Sequence, residues 1–215
     1  TETLWMEDDF PANGTTQASP GSPTQFVVMG EGNQVFSGQR ALKRVDAGLA
    51  QDVWDQAAIP LSIPTQAKIF AHVWLDPKNP PRSIMLQFFK AGWNHRAVWG
   101  DYDVIPWGAV NTAERVHMGE LPALGQWVRL EVPVEKIGLA TGDELKGFAL
   151  TQFSGTVFWD HVGVSGTSDP ARDPTQSFLA WWKQAAGKDI SGLPADLQPI
   201  SKAGPDVSAD KAAAP

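Results

Sequence analysis

Cysteine is absent from this chain of 215 residues. Its absence excludes disulfide bonds, thiolate zinc sites, iron–sulfur clusters and haem attached through cysteine. A chain without cysteine is compatible with any compartment, so this absence leaves the redox surroundings open.

Positive charge is scarce as well. The chain has 17 Lys and Arg against 24 Asp and Glu, which gives a formal net charge of −7. Non-specific binding of nucleic acid depends on clustered Lys and Arg, and the sequence has no basic stripe. We therefore expect no nucleic-acid partner and no anionic membrane surface. No run of about 18 apolar residues occurs, so we expect no membrane insertion.

Catalytic and nucleotide-binding motifs are missing too. The sequence has no Gly-x-Ser-x-Gly elbow, phosphate-binding loop, dinucleotide fingerprint or EF-hand loop. The histidines match no zinc spacing; they are His72, His95, His117 and His161. Glycoside cleavage needs two carboxyl groups facing each other across a groove. The alternation of Trp127, Arg129 and Glu131 favours an Arg–Glu pair on one strand face instead. We predict that the protein is not an enzyme and binds neither nucleotide nor haem.

Short segments of alternating polarity fill the first 166 residues. The clearest is 67–76, with Ile69, Ala71, Val73 and Leu75 on one side and Phe70, His72 and Trp74 on the other. Further strands are predicted over 24–30, 81–92, 95–100, 126–134, 147–153 and 156–164. The sequence DPKNPP predicts a hairpin between 67–76 and 81–92, and Ser154–Gly155 predicts a turn between the last two strands.

These elements predict the domain organisation. Many short strands without intervening helices predict an all-β fold, an antiparallel β-sandwich of the jelly-roll type, over residues 1–166. Residues 167–190 are predicted to be a linker and a helix (175–188) that packs on the sandwich or on a neighbour. Residues 191–215 are rich in Pro, Ala and Asp and predict a weakly ordered tail or linker.

The second face of several strands is aromatic and polar rather than purely polar. Such a face suits a groove for a sugar, because a sugar offers CH patches to rings and hydroxyls to polar side chains. The alternative is that a second layer or the C-terminal helix covers this face.

The densest aromatic stretch is WNHRAVWGDYDVIPWG, residues 93–108. Its indoles could stack on pyranose rings while arginine, histidine and aspartate bind the hydroxyls. The candidate ligand-binding residues, with those of the two neighbouring strands, are His72, Trp74, Gln87, Trp93, His95, Arg96, Trp99, Tyr102 and Trp107. The alternative is that Trp99 and Trp107 cap the edge of the sandwich and Arg96 pairs with an internal carboxylate.

Six segments carry a resemblance to a known kind of module. They are WMEDDFPANG, FSGQRALKR, FAHVWLDPKNPPRSIMLQF, WNHRAVWG, MGELPALGQWVRLEVPVEKIGL and FALTQFSGTVFWDHVGV. Together they resemble an uncharacterised β-sandwich module of large secreted and surface proteins of bacteria, frequent in planctomycete-type proteins that also carry cytochrome-like domains. LWMEDDFP, QVFSGQRALKRV and TVFWDHVGV also resemble strands of carbohydrate-binding, galactose-binding-like jelly rolls. The resemblance implies a module of a larger exported polypeptide that is secreted, periplasmic or at the cell surface, with neighbouring domains as partners.

The same resemblance implies a structural calcium ion. Galactose-binding-like modules often hold one Ca²⁺ where the first and last strands meet, and Ca²⁺ takes six to eight oxygen ligands. The implied ligands are Glu7, Asp8, Asp9 and Asp160. The alternative is that Asp8 and Asp9 are ordinary charges at a strand edge and that Asp160 accepts a hydrogen bond from a backbone amide.

Three functions remain open from the sequence. The leading one is a lectin-like carbohydrate-binding module that holds a larger protein on glycan. The competing one is a structural or interaction module that spaces and docks neighbouring domains, and the third is a glycan-active enzyme. A carbohydrate-binding module predicts accessible rings on one face, whereas a spacer predicts that those rings are buried.

Overall fold

The computed structural model describes residues 1–167 and, beyond them, Ser177, Phe178 and Trp182. The chain divides after Thr167 into two units, Thr1–Thr167 and Ser168–Pro215. Those three residues fall within the predicted helix over 175–188, and the rest of that helix lies outside the described residues. The predicted tail over 191–215 lies outside them entirely, and both elements stay predictions.

The first unit is all-β, which confirms the predicted fold class. Its strands are β1 Glu2–Met6, β2 Thr15–Ala18, β3 Gln25–Val28, β4 Arg40–Asp55, β5 Leu61–Ser62, β6 Thr65–Leu75, β7 Ser83–Phe89, β8 His95–Gly100, β9 Val116–Gly119, β10 Trp127–Pro133, β11 Glu144–Leu145 and β12 Gly147–Thr167. A short 3₁₀ helix, Val134–Ile137, follows β10. Within the described residues, no helix has the length and apolar character that crossing a bilayer requires.

The long strand β12 organises the fold. Its first part, Gly147–Phe153, pairs with β7, and its later part, from Val157, pairs with β6. On its other side β12 pairs with β4 as far as Trp159 and then with β1. The strands β6 and β7 therefore follow one another along the same edge of β12.

The predicted hairpin between β6 and β7 is consequently wrong. The two strands pair with β12 and not with each other, so the connection 76–82 does not reverse the chain. Both ends of this connection bond to β12, since the amide of Asp76 donates to the carbonyl of Thr156 and that of Arg82 donates to Phe153. A Pro- and Asn-rich turn predicts a local change of direction, but the partner of each strand is chosen by distant residues.

Two bulges bend β12. The first lies at Ser154 and Gly155, with φ of 58° and 84°, and the second lies at His161, with φ of 49°. The predicted turn at 154–155 is therefore a bulge inside one continuous strand. A Cβ at position 155 would collide with the backbone of Pro81, so this position requires glycine. A bulge adds one unpaired residue and increases the local twist, which turns the sheet over.

The sheet thereby folds into two layers around one core. Layer one contains β9, β8, β7, the first part of β12, the second half of β4, and β2; layer two contains β10, β6, the later part of β12, the first half of β4, and β3. Trp5 of β1 contacts Phe88 and Phe148 of layer one, with ring centroids 6.4 and 6.2 Å apart. The antiparallel sandwich is thus confirmed, except that β8 and β9 pair in parallel.

Candidate functional site

The aromatic and polar positions predicted from the sequence divide between two outer faces. β6 directs Ile69 and Val73 to the core and His72 and Trp74 outward from layer two, whereas β7 directs Gln87 outward from layer one. The alternation inferred for both strands is confirmed. The nine candidate residues do not all lie on one surface, because the sandwich places them on different faces.

On layer two, a loop covers the outward side chains. This covered face consists of Phe36, Phe70, His72 and His161, with Trp74 beside Phe158. Phe36 lies in the β3–β4 connection and stacks on the His72 ring, with centroids 3.8 Å apart and an interplanar angle of 17°. His72 is only 6% exposed, and burial lowers its pKa. His72 therefore lies under the protein's own phenyl ring rather than at an accessible surface.

Asp160 holds this loop in place. Its Oδ2 accepts hydrogen bonds from the amides of Phe36, at 2.8 Å, and Ser37, at 3.2 Å, and its Oδ1 accepts one from the amide of His161 at 2.8 Å. The carboxyl group is fully buried. That burial, with the charge of Glu7 nearby, raises the pKa of Asp160 to about 6 despite the three hydrogen bonds.

A Ser–His–Glu constellation lies beside this loop, and its geometry argues against nucleophilic catalysis. The Oγ of Ser37 lies 3.0 Å from Nδ1 of His161, and Oε2 of Glu7 lies 2.6 Å from the same nitrogen. Glu7 also accepts a hydrogen bond from the Ser37 hydroxyl. A catalytic triad needs the hydroxyl on one ring nitrogen and the carboxylate on the other. Here both groups share Nδ1, so the histidine cannot relay a proton between them.

The residues implied as calcium ligands do not fit a calcium site as they are arranged. Asp160 accepts three amides, and Asp8 accepts the amides of Gln39 and Arg40 at 2.6 and 2.9 Å. Glu7 binds Ser37 and His161, and Asp9 accepts the amide of Phe10 at 2.8 Å. In residues 1–167, no three His, Asp or Glu side chains converge as they would around a metal ion. The calcium ion stays a prediction without geometric support.

On layer one, an open cleft of about 270 Å³ lies over the strands. Its floor follows one straight row of paired residues across five strands. The row runs through Arg96 on β8, Gln87 on β7, Ala149 on β12, Val53 on β4 and Gln17 on β2. Neighbouring strands lie about 4.8 Å apart, so the row spans roughly 19 Å. The small Ala149 at its centre leaves room above the sheet.

Two tryptophans line one end of this cleft. Trp93 follows β7 and packs edge-on against Phe89, with ring centroids 5.5 Å apart. Trp107 lies in the β8–β9 loop and packs against the small apolar cluster of Met85, Val98 and Ile105. Both indoles are half-buried, so each is anchored on one side and accessible on another.

A hydrogen-bond network fixes the polar groups of the floor. Nε of Arg96 donates to Oε1 of Gln87 at 2.8 Å, and Nε2 of Gln87 donates to Gln51 at 3.0 Å and to Thr151 at 2.9 Å. Asp55 lies at the other end of the cleft, where its carboxylate accepts a hydrogen bond from Thr15 at 2.6 Å. Such a network holds its members in fixed orientations before any ligand arrives.

Three of the candidate residues from the tryptophan-rich stretch lie away from the cleft. Trp99 is in the hydrophobic core, 7% exposed, because it alternates with Arg96 across β8. His95 lies on the same side as Trp99, and its Nδ1 is 2.7 Å from the carbonyl of Ile137. Tyr102 packs against His117, with ring centroids 4.3 Å apart and an interplanar angle of 36°. The grouping of these three with the cleft residues is corrected accordingly.

Sequence reasoning missed the half of the cleft contributed by β2 and β4. Gln51, Val53 and Asp55 all line the cleft, and they alternate in the segment LAQDVWD. That alternation was the available signal, since residues two apart share a face of a strand. The predicted Arg–Glu pair of β10 is present, with Nε of Arg129 3.0 Å from Glu131.

Comparisons with known proteins give structural likenesses of low sequence identity. No protein-family model matches the chain, and no curated protein matches it. The family 11 carbohydrate-binding module from Clostridium thermocellum, in complex with a β-1,3-1,4-mixed-linked tetrasaccharide, matches with a TM-score of 0.45 and 9% identity over 78% of this chain and 97% of that one.

Two further likenesses are of the same order. The CBM22-1 xylan-binding domain from Paenibacillus barcinonensis matches with a TM-score of 0.43 and 9% identity over 78% of this chain and 94% of that one. The K2 cleaved adhesin domain of Lys-gingipain matches with a TM-score of 0.45 and 9% identity over 77% of this chain and 100% of that one. At TM-scores below 0.5, these likenesses carry no argument about function, which has to come from the cleft itself.

Proposed function

We propose that residues 1–167 form a non-catalytic carbohydrate-binding module that takes a glycan chain into the cleft of layer one. The observation that carries this proposal is the pairing of two anchored indoles, Trp93 and Trp107, with a fixed row of polar side chains in one open cleft. Indole faces suit the CH patches of pyranose rings, and Gln, Arg and Asp suit their hydroxyls.

The charges along the cleft support a binding role over a hydrolytic one. Asp55 is the acidic residue among the described side chains that line the cleft. Glycoside hydrolysis generally needs two carboxyl groups on opposite sides of the scissile bond. A single carboxylate at one end can accept hydrogen bonds from sugar hydroxyls without supplying an acid–base pair.

The larger context is part of the same proposal. The resemblance of the sequence segments to modules of secreted and surface proteins supports an exported polypeptide with further domains beside this one. Fractionation of the producing cells tests this, since an exported protein is expected in the medium, periplasm or surface fraction. Recovery from the cytoplasm alone would contradict it.

Affinity electrophoresis in gels containing polysaccharides tests the binding proposal. We expect the wild type to be retarded by at least one glycan, and Trp93→Ala and Trp107→Ala each to lose roughly tenfold or more in affinity, because anchored tryptophans dominate such contacts. Trp74→Ala is the matched control, since Trp74 lies on the other outer face. Thermal melts of all four proteins separate lost binding from lost folding. Equal losses for Trp74→Ala and Trp107→Ala would contradict the assignment of the cleft.

A second function, an interaction module, has one observation in its favour. Val28 and Met29 are each 61% exposed at the end of edge strand β3, close in sequence to Phe36, which is 42% exposed. An apolar strand edge suits contact with another protein domain. Val28→Lys is expected to weaken association with a neighbouring domain if this function holds, and to leave glycan binding unchanged.

A further inference from the structure

Two buried arginines beside the cleft lack an acidic partner. Arg96 and Arg115 are each 9% exposed. Among the ion pairs of residues 1–167, neither arginine has a carboxylate within 4.0 Å. Arg44 shows the usual arrangement, because this arginine, which is 3% exposed, forms two hydrogen bonds with Asp52 at 2.7 and 2.8 Å. Buried cations are normally paired in this way.

Neutral groups accept every hydrogen bond that the two guanidinium groups donate within the described residues. Arg96 donates from Nε to the side chain of Gln87, and from Nη1 to the carbonyl of Glu114 at 3.2 Å. Its Nη2 has no acceptor among residues 1–167. Arg115 donates from Nη1 to the carbonyl of Ile105 at 3.0 Å, and its buried Nε has no partner in the described part of the chain.

The two positive charges lie close enough to repel each other. Burial lowers the pKa of Arg96, the nearby Glu114 raises it, and the charge of Arg115 lowers it. The Glu114 carboxylate, whose Oε2 accepts the amide of Ala109 at 3.2 Å, offsets one of these two positive charges. Arg96, Arg115 and Glu114 together leave one positive charge at the β8 end of the cleft, in a chain whose net charge is −7.

The opposite end of the cleft carries the opposite charge. Asp55 lies on β4, three strand spacings across and two residues along from the row that contains Arg96 on β8, or roughly 16 Å away. The acid cannot neutralise the arginine across that distance in an open, hydrated cleft. A ligand that reaches Arg96 meets a desolvated cation with free N–H groups.

We propose that the bound glycan carries an anionic group, the carboxylate of a uronic acid or a sulfate ester, and that Arg96 binds this group with Arg115 behind it. The proposal rests on carbohydrate binding at this cleft and names the class of carbohydrate. Hydrogen bonds between a guanidinium and an oxyanion are about twice as strong as neutral ones, and the planar guanidinium matches two oxygens at once. A neutral sugar would leave the positive end of the cleft uncompensated.

Calorimetric titration with matched polysaccharides tests this proposal. The probes are polygalacturonate and its methyl ester, chondroitin sulfate and unsulfated chondroitin, and a neutral mixed-linkage β-glucan. Wild type, Arg96→Gln, Arg96→Lys and Arg40→Gln are compared, where Arg40 is a half-buried arginine paired with Asp9 that does not line the cleft. Thermal melts confirm folding of each variant.

We expect an acidic polymer to bind the wild type and Arg40→Gln alike, and Arg96→Gln to lose at least about tenfold in affinity. Arg96→Lys should recover part of that loss. Preference for polygalacturonate over its ester assigns the carboxylate, and preference for chondroitin sulfate over unsulfated chondroitin assigns the sulfate. Wild-type affinity should also fall with added salt, which keeps the test valid if Arg96→Gln does not fold.

Two results would overturn the proposal, and they differ from each other. If neutral glucan or the methyl ester binds as tightly as the acidic polymers, and salt has no effect, the anionic group is wrong while carbohydrate binding stands. If none of the polysaccharides binds, the proposed function fails, and the anionic ligand fails with it.

Discussion

The outer faces of the two layers have similar side chains but differ in accessibility, because one is covered by a loop and the other is open. Both β6 and β7 alternate core residues with a mixed aromatic and polar set. On layer two the outward set is covered by Phe36, which stacks on His72. On layer one the outward set around Gln87 forms the floor of an open cleft.

The comparison shows that the covering segment, and not the strand, decides whether such a face is available. The β3–β4 connection can lie on layer two because a buried acceptor, Asp160, receives the amides of Phe36 and Ser37. On layer one the β8–β9 loop packs Trp107 onto Met85, Val98 and Ile105 at the side of the sheet and leaves the central row accessible.

Removing the carboxyl group of Asp160 should release the loop from layer two and should destabilise the protein more than any other change proposed here. We expect Asp160→Ala to lower the free energy of unfolding by about 3 to 4 kcal/mol, because three amides lose their acceptor. Urea denaturation at pH 5 measures this, since the carboxyl group is then mostly neutral and the loss of charge contributes little. Asp160→Asn, which keeps a carbonyl acceptor, should lose less. A loss below about 1 kcal/mol for the alanine variant would show that the loop is held by other contacts.

The raised pKa of Asp160 predicts a pH dependence of opposite sign to that of a salt-bridged carboxylate. Between its ordinary pKa of 3.8 and the folded value of about 6, the folded protein keeps a proton that the unfolded chain has released. Stability should therefore fall as pH rises from 4 to 7, by about 2 to 3 kcal/mol relative to Asp160→Asn. The difference between the two proteins is the measured quantity, because Glu7, His72 and His161 are common to both. A difference that stays constant with pH would contradict the assignment.

Loss of a hydrogen-bonded side chain from the floor of the cleft should destabilise the protein more than loss of an exposed side chain at the end of the same row. We expect Gln87→Met to cost about 1.5 to 2 kcal/mol, because Nε of Arg96 loses its acceptor and Thr151 loses a donor. Glycan affinity should fall as well. Gln17→Met, at the exposed end of the same row, is the control and should change stability by less than about 0.5 kcal/mol. Chemical denaturation of the three proteins decides the comparison.

Opening the covered face at Phe36 should have the smallest energetic effect. Phe36→Ala is expected to cost about 1 kcal/mol, the value of a stacked aromatic contact. The pKa of His72 should rise toward its ordinary value, because burial is the main cause of its depression. A titration of the histidine resonances by NMR measures this, with Val28→Ala as the control for loss of an exposed apolar side chain. An unchanged His72 pKa in Phe36→Ala would show that another group buries the ring.

Local periodicity predicted the strands and their faces well. The inward and outward residues of β6 and β7 follow from alternation, and strand His95–Gly100 has the predicted bounds. The same rule would have placed Trp99 in the core, since it lies an odd number of residues from Arg96. The density of tryptophan in 93–108 suggests one shared surface, but the parity of each position decides which face of the sheet its side chain takes.

Strand partners and chain reversals were predicted poorly. The connection 76–82 has the composition of a hairpin turn, yet it carries the chain from layer two to layer one along β12. Ser154–Gly155 has the composition of a turn, yet it forms a bulge. Composition reports which backbone angles a segment accepts, whereas its partner is set by residues more than seventy positions away.

The sequence alone determined an all-β chain without thiol chemistry, with negative net charge and with aromatic and polar side chains on the second face of its strands. These follow from residue identity and from the two-residue period of a strand, which are local. The tertiary structure decided which of those faces a loop covers, which four candidates meet at the cleft, and which arginines remain unpaired. Those outcomes depend on contacts between segments that are distant in the sequence. The energy of such a contact depends on both segments, so neither segment alone predicts it.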